Sequence, residues 1–197
     1  MRFEIWDAYG ELPEDYVGVF DVVHLRTLYS TVVGNKVDPL LSNCLKMLKP
    51  GGFLQWDESD ASTLACFPPN DSVKSDATRS LVRIQDATAR TYSKMTPDWL
   101  HNLPDTLRER GCEILALEEY APQERLARGW TDNMLLVWQS LVGLIPEGVE
   151  MPLPPGDDLP KTLSKAGYTK LFKEALVETR NGVMVGMNYH VFLAKKA

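Results

Sequence analysis

An α/β fold with a largely parallel sheet is predicted by a segment near the start of the 197-residue chain. The compact apolar run Phe20–Leu25 is typical of a strand buried on both faces. Leucines at helical spacing in Asp38–Leu48 predict an amphipathic helix, which the Lys-Pro-Gly-Gly turn at 49–52 ends. Phe53–Trp56 then has the pattern of a second strand. This order of elements favours parallel strands joined by a right-handed crossover.

The composition indicates an ordinary globular protein of one domain. The chain has a mass of 22.2 kDa, 44% hydrophobic residues and 24% charged residues. Its net charge of −6 and the absence of a basic cluster argue against nucleic acid or an anionic membrane as the main partner. No apolar run has the length of a membrane span. Three scattered cysteines favour a reducing, cytoplasmic location without a disulfide framework.

The remaining sequence predicts further helices and strands, with no internal repeat. The three parts of the single domain are a core α/β unit at 1–60, a helical lid with one strand at 70–150, and a C-terminal helix and strand at 151–197. The third part and the lid contain the helices Ser75–Met95, Asp98–Arg110, Thr131–Ile145 and Leu159–Ala175, and the strands Cys112–Tyr120 and Gly182–Ala194. Because Thr131–Ile145 is apolar almost all round, it is expected to be buried in the core or against another chain.

Two motifs resemble the class I S-adenosylmethionine-dependent methyltransferases, in particular their fungal secondary-metabolite branch. They are FDVVHLR at 20–26 and LKPGGFLQWDE at 48–58. The resemblance implies that these segments are the fourth and fifth strands of a Rossmann-like sheet. It also implies that Phe3–Tyr9 ends the third strand, with Asp7 facing the adenine of a bound cofactor. The C-terminal strands would then be the sixth and seventh.

The sequence departs from that family because it contains no GxG pattern, which the family uses to approach the cofactor. The expected fold is therefore an incomplete methyltransferase sheet, from the third to the seventh strand, with helical lid segments. No cofactor is expected to bind unless another chain supplies the missing loop for S-adenosylmethionine. Phe20–Leu25 would become an apolar edge strand, so a homodimer through this edge or through the 131–145 helix is expected.

Candidate catalytic residues follow the two predicted strands. His24 ends the first strand, where open α/β sheets place their ligands, and its imidazole suits general acid–base catalysis. Asp57 and Glu58 end the second, and since neighbouring strand residues point to opposite faces, at most one of them faces a pocket. Arg26 and Tyr29 follow His24 and are candidate substrate-binding residues, of which Arg26 could bind a carboxylate or enolate. The alternative for Arg26 is an ion pair with one of the two carboxylates.

Aromatic residues of the lid are candidates for lining an apolar substrate site, because helices after the fifth strand cover the substrate in the resembled family. The alternative is that they are core residues. The candidates are Tyr92, Trp99, Trp130 and Trp138. His101 and His190 are predicted to be structural, and the three histidines share no metal-ligand spacing, so no metal is expected.

The favoured function is a cofactor-independent cyclase or isomerase, and possibly a pericyclase, that acts on a small apolar natural-product intermediate. Its apolar pocket would hold a flexible substrate near the reactive geometry while His24 and one carboxylate move protons. Two alternatives stay open. One is a methyltransferase that completes its cofactor site from another chain, and the other is a non-catalytic partner subunit. An incomplete gene model would also explain the sequence.

Overall fold

The computed structural model describes residues 4–122, 124–154 and 159–197. Its strands are β1 Phe20–Arg26, β2 Leu48–Phe67, β3 Cys112–Tyr120, β4 Glu150–Pro152, β5 Thr162–Ser164 and β6 Met184–Lys196. Its helices are α1 Asp38–Met47, α2 Asp76–Thr91, α3 Asp98–His101, α4 Leu103–Glu109, α5 Glu124–Leu144 and α6 Lys165–Arg180. A four-stranded sheet has the order β1-β2-β6-β3, and β4 and β5 form a separate pair. The predicted α/β fold is confirmed.

The first crossover forms as the sequence predicts. β1 and β2 are parallel, with His24 opposite Gln55 and Arg26 opposite Asp57, and α1 connects them. In the first residues of β2, a Cβ on Gly52 would lie 3.0 Å from the Lys49 carbonyl oxygen and 3.1 Å from that of Asp21. Glycine at this position therefore lets the two backbones approach each other.

β2 differs most from its prediction. It begins at Leu48, the last residue of the predicted helix, includes the predicted turn at 49–52, and continues for 20 residues to Phe67 instead of ending at Trp56. Glu58 and Asp60 are buried within it. The prediction placed the end of the strand at Asp57 and Glu58. The strand continues because residues distant in sequence form hydrogen bonds with the buried carboxylates of Glu58 and Asp60.

β1 lies at the edge of the sheet. The prediction that it is buried on both faces is wrong, because Val22 is 54% exposed whereas Val23 is 8% exposed. Adjacent side chains alternate between faces, so only one face of β1 contacts the core. A second copy of the chain at this edge stays a prediction.

The C-terminal strands pair as antiparallel neighbours. β3 has the predicted bounds, and Glu119 of β3 lies opposite His190 of β6. The strand predicted at the N-terminus is wrong for Glu4–Tyr9, which contains a turn and no strand. Asp7 stabilises that turn, because its Oδ1 accepts a hydrogen bond of 3.0 Å from the Tyr9 amide. Arg2 and Phe3 lie outside the described residues.

The chain divides into two compact units. Unit 1 contains Met1–Asp60, Met95–Tyr120 and Tyr189–Ala197, and unit 2 contains Ala61–Lys94 and Ala121–Asn188. The core of unit 1 includes Leu54, Trp56, Trp99, Leu103 and Phe192. The core of unit 2 includes Leu81, Ile84, Trp138, Tyr168 and Phe172. The predicted single domain with three parts stays a prediction.

The helices of unit 2 are displaced along the sequence from their predicted bounds. α2 ends at Thr91 instead of Met95, α5 begins before the predicted Thr131, and α6 covers Lys165–Arg180. The outward face of α5 is open among the described residues, because Leu136 is 65% exposed. No described helix combines the length and the hydropathy that crossing a membrane requires.

Candidate functional site

His24 and Asp57 form a pair where the parallel strands β1 and β2 lie side by side. The Nε2 atom of His24 lies 3.0 Å from Oδ2 of Asp57. The His24 side chain is 46% exposed and that of Asp57 is 17% exposed, so the pair is accessible to a small molecule. The structure therefore brings together two residues that the sequence singled out separately.

Asp57 is held in place by its neighbour on the same face of β2. The Gln55 amide nitrogen lies 3.0 Å from Oδ1 of Asp57 and 3.3 Å from Oδ2. With Asp57 fixed, its carboxylate favours the His24 tautomer that carries hydrogen on Nε2. Nδ1 of His24 is then the ring nitrogen that can accept a proton from a ligand.

Arg26 places a positive charge beside this pair. A hydrogen bond to the Tyr189 hydroxyl is the main reason that the pKa of Arg26 is raised, and the charge of Asp57 adds a smaller effect in the same direction. The Tyr189 hydroxyl also lies 3.0 Å from Oγ1 of Thr27. The main partner of Arg26 is thus Tyr189, not the Asp57 or Glu58 carboxylate that the sequence suggested. Tyr189 was missed because no local pattern links β6 to β1.

The surroundings of Glu58 indicate a structural role, unlike those of Asp57. Its side chain is fully buried, and Oε2 accepts a hydrogen bond of 2.7 Å from the Leu28 amide. Oε1 accepts one of 2.9 Å from the Ser59 amide. The Trp56 indole nitrogen donates to Oε2 at 3.3 Å. These bonds hold the loop after β1 against β2 and bury the carboxylate away from His24.

The aromatic candidates lie in different environments. In unit 1, Trp99 is buried, and its ring centroid lies 5.4 Å from that of Trp56 and 6.4 Å from that of Tyr29. In unit 2, Trp138 is buried in the core, and the exposed Tyr92 donates from its hydroxyl to the Pro152 carbonyl at 3.1 Å. Trp130 is half-buried at the margin of the unit 2 core. Trp99 and Trp138 therefore pack as core residues, and a substrate-lining role for Tyr29, Tyr92 and Trp130 stays a prediction.

A second polar cluster in unit 1 contains the two histidines that were predicted to be structural. His101 Nε2 lies 2.7 Å from Oδ2 of Asp60, and His190 Nε2 lies 3.7 Å from the same oxygen. The three residues come from α3, β2 and β6, and their sequence spacing gave no signal of this contact.

The comparisons with known proteins give one sequence match and several distant structural resemblances. The chain is 32% identical over 74 residues to the methyltransferase grgD of a Penicillium species; the match covers 38% of this chain and 26% of that protein. The chain thus spans about a quarter of the length of this curated relative. No family model matches the chain.

Two solved structures illustrate the structural resemblance. The [4+2]-cyclase SpnF is 17% identical with a TM-score of 0.46, and the alignment covers 98% of this chain and 55% of that one. A methyltransferase-like protein from Bacillus halodurans is 19% identical with a TM-score of 0.44, with 97% and 69% covered. The 74-residue match makes this part of the chain similar in sequence to a methyltransferase, and the α/β sheet agrees with that similarity.

Proposed function

We propose that the chain catalyses the isomerisation or cyclisation of a small, largely apolar natural-product intermediate, which begins with proton transfer to His24. The observation that carries this proposal is the 3.0 Å contact between His24 and Asp57 on adjacent parallel strands. A histidine whose ring is oriented by a carboxylate is a recurring arrangement for a general base. The pair is also accessible, unlike the buried Glu58.

The proposed reaction moves one proton and leaves the protein unchanged. Nδ1 of His24 removes a proton from a carbon next to a carbonyl group, and the C–H electron pair becomes part of an enolate. Asp57 stabilises the imidazolium that forms, and the Arg26 guanidinium stabilises the negative oxygen. His24 then returns the proton to a different carbon, which gives an isomer, or the enolate carbon closes a ring on a second carbonyl before the proton is returned.

Methyl transfer is the second candidate, and the 74-residue match to the Penicillium methyltransferase favours it. The family implies S-adenosylmethionine, whose carboxylate fits the exposed guanidinium of Arg26. When bound, this cofactor supplies an electrophilic methyl group. His24 would then accept the proton of the acceptor substrate. Asp7, the adenine contact that the resemblance implies, has one carboxylate oxygen engaged by the Tyr9 amide.

We expect His24→Gln to lower the rate of proton abstraction from carbon by about 10²–10⁴-fold, the usual contribution of a positioned general base. The probe is 5-nitrobenzisoxazole, an apolar compound whose ring opens when a base removes its C–H proton, and the release of nitrophenolate is followed by absorbance. Asp57→Asn should also lower the rate, because the amide no longer favours the reactive tautomer of His24.

His101→Gln is the matched control, since this histidine belongs to the other cluster, and its rate should equal that of the unchanged protein. Equal rates for His24→Gln and the unchanged protein would contradict the proposed base. Calorimetry with S-adenosylmethionine separates the two candidates: micromolar binding by this chain alone would replace isomerisation with methyl transfer.

A further inference from the structure

We propose that Asp60, His101 and His190 form a binding site for a divalent transition-metal ion. Each residue offers one ligand atom, and the three atoms all lie within 4.8 Å of one another. Two imidazole nitrogens and one carboxylate oxygen are a ligand set that suits Zn²⁺ and related ions. All three residues belong to unit 1, so the site is complete within one compact unit.

The distances between the Asp60 oxygen and the two histidine nitrogens are close to those of a metal site. Zn²⁺ binds nitrogen and oxygen at about 2.0–2.1 Å, which puts the ligand atoms of a tetrahedral site roughly 3.3 Å apart. Oδ2 of Asp60 lies 2.7 Å from Nε2 of His101 and 3.7 Å from Nε2 of His190. These two distances lie on either side of the tetrahedral value, so small side-chain rotations are enough to coordinate an ion.

The Nε2 atom of His190 gives an independent reason to expect a ligand. It is buried and makes no hydrogen bond in the described part of the chain. Buried polar atoms in folded proteins nearly always have a partner, and a bound ion is one explanation of an exception. An ion coordinated by the lone pair of this nitrogen would satisfy it.

The burial of Asp60 supports a cationic partner. Its side chain is only 3% exposed, so its negative charge would attract a bound cation through surroundings of low dielectric. A divalent ion binds neutral imidazoles, which is the form that coordinates metals. The site needs neither histidine to be protonated.

Neighbouring residues restrain the His190 ring, whereas the His101 ring is accessible to solvent. The His190 ring stacks on Phe192, with centroids 5.9 Å apart and planes 12° apart, which restrains its orientation. His101 ends α3, and its side chain is 49% exposed, so the cluster is open to solvent on that side. Three protein ligands leave a fourth position for water or another small ligand.

The metal site is separate from the His24–Asp57 pair. Gln55 contacts Asp57, and Trp56 contacts Glu58, so alternate residues of β2 share a face. This alternation places Asp60 on the face opposite to Asp57. The metal proposal therefore does not depend on the proposed function.

The competing interpretation is a His101–Asp60 hydrogen bond without metal. Metal titration of the full chain distinguishes the two, in a Cys66→Ser background that removes the half-buried thiol. We expect one Zn²⁺ per chain, measured by competition with a chromophoric chelator, and one Co²⁺ with the visible absorption of a four-coordinate site. His101→Asn and His190→Ala should each weaken Zn²⁺ binding by more than about 100-fold, beyond the usual effect of losing an outer-sphere contact.

His24→Gln is the matched control, because the chain has 3 histidines and this is the one outside the cluster. It should bind Zn²⁺ as tightly as the unchanged protein. If His190→Ala does not fold, as judged by circular dichroism, the half-exposed His101→Asn decides the result. No stoichiometric binding, equal affinity in His101→Asn, or the same loss in His24→Gln would each overturn the metal site.

Discussion

Replacing Trp138 with alanine is expected to lower the free energy of unfolding by about 3–5 kcal/mol, the range for removing a large buried aromatic side chain. Trp138 is fully buried in the core of unit 2. Its indole nitrogen donates a hydrogen bond of 2.6 Å to Oε1 of Gln85, which also loses its partner in the variant. Urea denaturation followed by circular dichroism measures the change.

Two variants separate packing from the hydrogen bond. Trp138→Phe keeps much of the ring volume and should cost about 1–2 kcal/mol, mainly for the lost N–H donor and the remaining space. Leu136→Ala changes a residue on the same helix that is 65% exposed, and should stay within about 0.5 kcal/mol of the unchanged protein. If Trp138→Ala kept full stability and weakened small-molecule binding, that result would favour the substrate-lining role predicted from sequence.

Local patterns predicted the elements of the first crossover correctly. The apolar run of β1 and the leucine spacing of α1 carry their own signals, and Pro50 and the two glycines prevent α1 from continuing. The pairing of the strands then determines which of these residues lie next to each other. Because β1 and β2 are parallel and adjacent, Asp57 lies opposite Arg26 and within reach of His24.

The length of β2 could not be predicted, because the features that decide it are not local. A run of polar residues after Trp56 is typical of a loop. In the fold, the Glu58 carboxylate accepts a hydrogen bond from the Leu28 amide, and the Asp60 carboxylate contacts His101, which is 41 residues away in the sequence. These tertiary contacts make a buried acidic strand stable.

The same limitation explains which site residues were missed. His101 and His190 looked like isolated histidines, since no ligand spacing connects them, and the fold gathers them around Asp60. Tyr189 reaches Arg26 and Thr27 from β6. Chemistry at residues close in sequence was therefore recognisable, whereas chemistry assembled across the sheet required the structure.

Glu58→Ala is expected to lower the free energy of unfolding by about 2–4 kcal/mol. The substitution removes the acceptor of one buried backbone donor, the Ser59 amide, and one partly buried donor, the Leu28 amide. A buried unsatisfied donor costs about 1–3 kcal/mol, and a partly buried one costs less. Urea denaturation measures this loss. The loop after β1 should open first, and hydrogen exchange at the Leu28 amide, which is bound at 2.7 Å, should speed up markedly.

Glu58→Gln tests whether this residue is structural or catalytic. Its single amide oxygen can accept from one of the two backbone donors but not hold both as the carboxylate does, so we expect about half of the alanine effect. Asp57→Asn is the matched control: Asp57 is partly exposed, and the asparagine should cost less than about 1 kcal/mol while slowing proton abstraction. A Glu58→Gln variant with full stability and no activity would reverse the roles of the two carboxylates, because the buried Glu58 would then be the one that the reaction needs.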